Sequence, residues 1–225
     1  MRQEIRYQPS YSLGIVSLDA GESLQAETGS MVSMSDGIRI ETSMGKGGLF
    51  GGLKRAVGGE SLFINQLIAD RAGEVTIAPS LPGDMITVDL TGSESLLVQS
   101  GSFLAATPGV TIDSKWGGSR GFFSGEGLIL LRCSGQGTLW ISSYGAIHLV
   151  ELAAGQRYVV DTGHMVAFDQ SVSYQVGKSG GWKSTILGGE GLVVNLTGPG
   201  RFYLQTRSPG ALVQWLIPQL PFSRG

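Results

Sequence analysis

The sequence predicts an all-β protein: three tandem antiparallel β-sandwich repeats in a pseudo-threefold arrangement, followed by a short C-terminal helix. Two observations carry that prediction. A short phrase recurs three times with a period near 65 residues, too long for a solenoid turn but suited to a small β module. Apolar residues alternate at period two between turns marked by many of the 36 glycines, as half-buried strands joined by tight turns require.

Each repeat opens on Val-x-Leu, at Val16 and Leu18, Val88 and Leu90, and Val150 and Leu152. Next come Gly21-Glu22, Ser93-Glu94 and Gly155-Gln156, then a second mark at Thr28-Gly29, Ser100-Gly101 and Thr162-Gly163, at the same offsets from the opening valine. The third mark is Gly59-Glu60-Ser61-Leu62, Gly125-Glu126-Gly127-Leu128 and Gly189-Glu190-Gly191-Leu192. Boundaries fall at the turn-rich stretches Leu81-Pro82-Gly83-Asp84 and Ser143-Tyr144-Gly145, both too short to be flexible linkers. The repeats are therefore 1–83 with a glycine-rich basic loop at 44–59, 84–145 with a loop at 115–123, and 146–225 with a loop at 177–187 and a helix at 209–217.

Within the repeats, 61–68, 75–78, 146–152 and the stretch holding Val159 and Asp161 read as strands, about seven short ones per repeat. Asp36-Gly37, between the apolar runs 31–34 and 38–41, is a hairpin signal. Thr107-Pro108-Gly109 and Asp169-Gln170 hold the same place in the other two repeats. The helix starts at Pro209 and stops before Pro218. Its stripe of Leu212, Trp215 and Leu216 is expected to pack on its own sandwich or on a neighbouring subunit.

Net charge is -2 and the pI about 5.7, so bulk charge does not advertise nucleic-acid binding. The single cysteine, Cys133, forms no intrachain disulfide and leans towards a reducing compartment. The N-terminus has no apolar signal-peptide core, and no apolar stretch approaches the ~20 residues that span a bilayer. A soluble cytoplasmic protein is the expectation.

The three loops hold the functional signal. They carry Lys46, Lys54, Arg55, Lys115, Arg120, Lys178 and Lys183, seven of the 16 basic residues, and no acidic one. The remainder of the chain is left with nine basic residues against 18 acidic ones. Phe50, Trp116 and Trp182 stand among these charges. Basic residues beside aromatics suit an anionic interface, either lipid headgroups or a nucleic-acid strand. The plainer alternative is that the glycines make turns, the aromatics tuck under the loops and the lysines are solvated.

Other chemistry finds less support. Gly177-Lys178-Ser179 is not a phosphate-cradling loop, because Val172 stands where its first glycine belongs. No GxGxxG or GxSxG is present, and no cofactor is implied. Glu60, Glu126 and Glu190 recur in every repeat, which favours a structural role over carboxylate chemistry. His148 and His164 are the only histidines, too few for a transition-metal site without clustered cysteine. Catalysis is not expected, and no catalytic or metal-binding residue is assigned.

The phrases Thr28-Gly29-Ser30-Met31, GGLFGGLKRAVGGESLF over 47–63, and the closing 209–221 segment resemble the Altered-Inheritance-of-Mitochondria family of bacterial, archaeal and mitochondrial proteins. The resemblance covers nearly the whole chain. It implies tandem repeats of a β-sandwich like the subunit of the tryptophan RNA-binding attenuation protein, assembled as homotrimers. The family's mitochondrial members are linked to inner-membrane organisation. The attenuation protein's RNA-reading pattern of lysines and arginines is not recognisable here, so its function would transfer on fold alone. The function expected is a non-catalytic, oligomeric β scaffold, peripheral to a membrane. Lys46, Phe50, Lys54, Arg55, Lys115, Trp116, Arg120, Lys178, Trp182 and Lys183 would meet an anionic membrane or a membrane-bound partner. The alternative is a soluble small-ligand or RNA-binding module using clefts between repeats or subunits.

Overall fold

The computed structural model describes residues 1–42, 64–113, 122–123, 128–178 and 192–221. The chain is predominantly β. In order the strands are β1 (Arg2–Arg6), β2 (Leu13–Leu18), β3 (Ser23–Glu27), β4 (Met31–Met34), β5 (Ile38–Thr42), β6 (Ile64–Ala69) and β7 (Gly73–Ile77). Next come β8 (Met85–Gln99), β9 (Phe103–Ala106), β10 (Val110–Asp113), β11 (Phe122–Phe123) and β12 (Leu128–Ser142). The last are β13 (Ile147–Leu152), β14 (Arg157–Asp161), β15 (Met165–Asp169), β16 (Ser173–Lys178), β17 (Leu192–Thr197) and β18 (Gly200–Gln205), then helix α1 (Pro209–Leu216).

Period-two alternation does build the half-buried strands. In β2 every second residue is fully covered, ending on Val16 and Leu18 of the first repeated phrase. The central strands β9 and β15 are instead apolar and covered almost throughout, as strands with neighbours on both faces must be.

Strand pairing is antiparallel throughout the ladders. In the first segment β2 and β4 flank β7, while β3 and β5 flank β6. In the middle segment the first half of β8 and β9 flank the second half of β12, while the second half of β8 and β10 flank its first half. In the last segment β13 and β15 flank β18, while β14 and β16 flank β17. The Ser93-Glu94 mark lies inside a strand: β8 and β12 each run for 15 residues. Two further ladders cross between segments, β3 with β9 and β8 with β15. A register shift recurs where β4, β9 and β15 meet their partners, at Met31/Ser33, Trp140/Ile141 and Met165/Ala167.

The three hairpin signals need correction. Asp36-Gly37 does form a tight turn, and Gly37 has φ +97, the left-handed region that glycine enters at little cost. Yet β4 and β5 do not pair with each other, because β4 pairs with β7 and β5 with β6. The same holds for β9 and β10, and for β15 and β16. Each turn is an arch whose two flanking strands add to different ladders rather than to each other. The physical reason is visible in the core, where Ile38 and Met31 approach one apolar cluster from opposite layers. Side by side in one sheet they could not sandwich it.

Three apolar clusters fill the interior. One holds Val16, Leu24, Leu67, Val75 and Trp140, another Val98, Phe103, Leu131 and Ile141, and a third Phe168, Val194, Leu196 and Phe202. The two turn-rich stretches expected as boundaries are bonded to each other. Gly83 and Gly145 form a parallel bridge, the Asp84 amide donates to the Gly145 carbonyl at 2.9 Å, and the Ser143 amide donates to the Asp84 carbonyl at 3.0 Å. The buried Asp84 carboxylate also accepts from the Met85 amide at 2.8 Å and from Gln8 at 3.1 Å.

Cys133 is fully covered, and burial pushes its thiol up to about 12. Only the thiolate attacks, so the native protein is expected to exclude a thiol reagent at neutral pH. Labelling should follow the denaturant unfolding curve, and rapid labelling without denaturant would contradict this burial.

Helix α1 matches its expected span to within a residue, with Pro209 at its start. Among the described residues its stripe is only partly covered: Leu212 is half-buried, while Trp215 is 64% and Leu216 40% exposed.

Candidate functional site

The loop residues proposed from sequence, Lys46, Phe50, Lys54, Arg55, Lys115, Trp116, Arg120, Trp182 and Lys183, lie outside the described residues. Lys178 closes β16, and its side chain is also outside them. The roots of the loops are described. Residues 44–59 fall between β5 and β6, 115–123 between β10 and β12, and 177–187 across the end of β16 and the connection to β17. Each of these strand pairs is an antiparallel ladder. At the second root Arg132 bonds Asp113 at 3.1 Å, tying the two sides of the connection together.

The structure brings together a second set of residues that sequence reasoning did not single out. A cavity of about 530 Å³ opens where the ends of β3, β8, β12 and β18 meet the turn after β14 and the start of α1. Gln99, Ser102, Ser142, Tyr144, Gln205 and Ser208 line it. Gln205 organises one wall: its side-chain carbonyl accepts from the Tyr144 amide at 2.9 Å, and its amide donates to the Gly163 carbonyl at 2.8 Å. Asp161 braces the same turn by accepting from the Gly163 amide at 2.7 Å. In the sequence Glu27, Gln99 and Asp161 each stand one residue before a Thr-Gly or Ser-Gly mark, but nothing along the chain says that these positions converge.

The lining mixes hydroxyl and amide groups with apolar ones such as Leu81, Leu104 and Met165, and Glu27 is its one carboxylate. Such walls suit a neutral polar ligand better than an anion. His164 is half-buried, with Nδ1 2.7 Å from the Gln205 carbonyl, while His148 stands exposed on β13. Glu60, Glu126 and Glu190 lie outside the described residues. Among the described residues no group of three or more His, Cys, Asp or Glu is placed to hold a metal ion. No helix among them is long and apolar enough to cross a membrane.

Comparison with known proteins finds relatives along nearly the whole chain. The family described as mitochondrial biogenesis AIM24 matches residues 3–207. An uncharacterised protein of Streptococcus pyogenes serotype M6 is 30% identical over 231 residues, covering 99% of this chain and 92% of that protein. The crystal structure of a protein from Streptococcus pyogenes superposes with a TM-score of 0.80 at 28% identity, covering 97% of this chain and 99% of the other.

Proposed function

The chain belongs to the mitochondrial biogenesis AIM24 family, and from that premise we propose a non-catalytic, homotrimeric β scaffold whose basic, aromatic loops meet an anionic membrane surface. In this reading the chain is three copies of one unit in a pseudo-threefold arrangement, each like an attenuation-protein subunit. Its support is the pairing diagram drawn three times, with the same register shift in β4, β9 and β15.

The observation that carries the functional reading is the position of the loops. Six of their seven cations fall in connections between antiparallel partners that correspond from unit to unit, and the seventh, Lys178, closes the strand that leads into the third connection. Near an anionic bilayer each lysine or arginine contributes on the order of 1 kcal/mol, and several weak contacts on one rigid body gain avidity. Lys54, Arg55, Lys115, Arg120, Lys178 and Lys183 supply charge, while Phe50, Trp116 and Trp182 supply apolar insertion. The protein itself is cytoplasmic and peripheral to the membrane in this reading.

Co-sedimentation with neutral and anionic liposomes across a salt series tests it. Binding is expected only to anionic vesicles and weakens as salt screens the charges. Reversing Lys54 and Arg55 to glutamate removes two attractions of about 1 kcal/mol each, so partitioning should fall at least roughly tenfold. Unchanged partitioning would remove the first loop as a contact.

The polar cavity favours a second reading, a soluble binder of a small neutral ligand in a cleft between units. Affinity for RNA with a steep salt dependence and none for lipid would favour the RNA-binding form of that reading instead.

A further inference from the structure

Two sheets of this molecule end on free strands that match each other. The four-stranded sheet runs β1-β2-β7-β4 and the three-stranded sheet runs β14-β17-β16, so among the described residues β4 and β14 each close a sheet without a neighbour. Their counterparts do not. β9 corresponds to β4 and lies against β3, and β15 corresponds to β4 and lies against β8. The strand on the other side of each junction, β3 or the second half of β8, is the counterpart of β14.

The two junctions share one register. Gln25 faces Ala106 in the first, and Leu97 faces Phe168 in the second. Counted from the opening valines at 16, 88 and 150, these are the same two positions. Carried to the free edges, that register sets Val159 opposite Met34 and Val160 opposite Ser33.

Exposure shows what the free edges lack. Val32 is 58% exposed, whereas its counterparts Leu104 and Val166 are 2% and 0%. Val159 is also 58% exposed, whereas Gln25 and Leu97 are 1% and 2%. β4 is Met-Val-Ser-Met, with none of the lysines or prolines that guard a solvated edge. An unguarded apolar edge is a template for strand addition.

We infer that β14 of one chain adds to β4 of a second copy of this chain, antiparallel and in the register of the two internal junctions. The added strand completes a seven-stranded sheet across the two chains, β1-β2-β7-β4 of one with β14-β17-β16 of the other. A head-to-tail contact of this kind repeats from chain to chain. The inference rests on the oligomeric part of the function proposed above and specifies its interface.

Sedimentation velocity on the full chain tests it. The wild type should run as a multiple of the 23.7 kDa chain. Val159→Lys and Met34→Glu, both at exposed positions, should each return it to the single-chain mass with an unchanged circular dichroism spectrum. The double variant Val159→Lys/Met34→Glu should restore the assembly, because the new charges face each other. Mixing Met34→Cys with Val159→Cys protein under mild oxidation should give a disulfide-linked pair that neither gives alone. A wild type at single-chain mass would overturn both this inference and the oligomeric reading. An assembly indifferent to both charge variants, with no cross-link, would overturn this interface only. A cross-link closing within one Met34→Cys/Val159→Cys chain would replace it with intramolecular closure.

Discussion

Replacing Trp140 by alanine is expected to cost about 3–5 kcal/mol of folding stability, the range for emptying a large aromatic site. Trp140 is 1% exposed on β12, between Thr87 of β8 and Ala105 of β9, and packs in the same cluster as Leu24, Leu67 and Leu104. A typical domain is stable by only about 5–15 kcal/mol, so this single change should shift the denaturant midpoint severely. Trp140→Phe should behave differently. The buried indole N–H has no acceptor among the described residues, and an unsatisfied buried donor costs about 1–3 kcal/mol. Phenylalanine loses packing area but sheds that cost, so its net effect should stay below about 1.5 kcal/mol. Urea unfolding followed by circular dichroism measures both. Equal losses would mean that the indole nitrogen is satisfied after all.

The second large effect is expected at Gly83. A Cβ there would lie on the Ser143 carbonyl, a backbone atom that cannot rotate away. Four main-chain hydrogen bonds lock the surroundings: Ser12 to Gly83 at 3.1 Å, Asp84 to Gly145 at 2.9 Å, Ser143 to Asp84 at 3.0 Å, and Gly145 to Pro82 at 3.0 Å. Gly83→Ala must part these segments, and losing two or three such bonds costs roughly 3 kcal/mol. Gly21→Ala is the control. Gly21 has φ +87 but nothing near its missing side chain, so only the left-handed penalty of about 1–2 kcal/mol applies. If thermal melts of the two variants shifted alike, the close approach at Gly83 would not be the cause.

Local chemistry was legible in the sequence where neighbours along the chain decide the outcome. The opening valines, the strand around Val159 and the helix begun by Pro209 all follow from alternation, turn residues and proline. The arches at Asp36-Gly37 and its counterparts were not, because a tight turn looks the same whether the next strand returns to its own sheet or crosses to the other. That choice belongs to β6 and β7, which arrive some 30 residues later. Trp215 shows the opposite case: its stripe signals burial, yet among the described residues it stays 64% exposed, which leaves a neighbouring subunit as the surface that stripe was expected to meet. For the candidate site, the charge segregation of the loops was readable from composition alone. The cavity was not, because Gln99, Tyr144 and Gln205 are ordinary polar residues until distant strand ends converge.

The two long strands carry a consequence for how the molecule comes apart. β8 and β12 each take one set of partners along the first half and another along the second, within one eleven-stranded sheet. No cut at 83 or 145 can be made without tearing a ladder that crosses it. A chain of independent beads would melt bead by bead, and gene-level loss of its middle bead would leave two intact ones. Here the middle segment is the seam, so the chain should fold and fail cooperatively as one body. The recurrence of a phrase in its sequence has not made it modular.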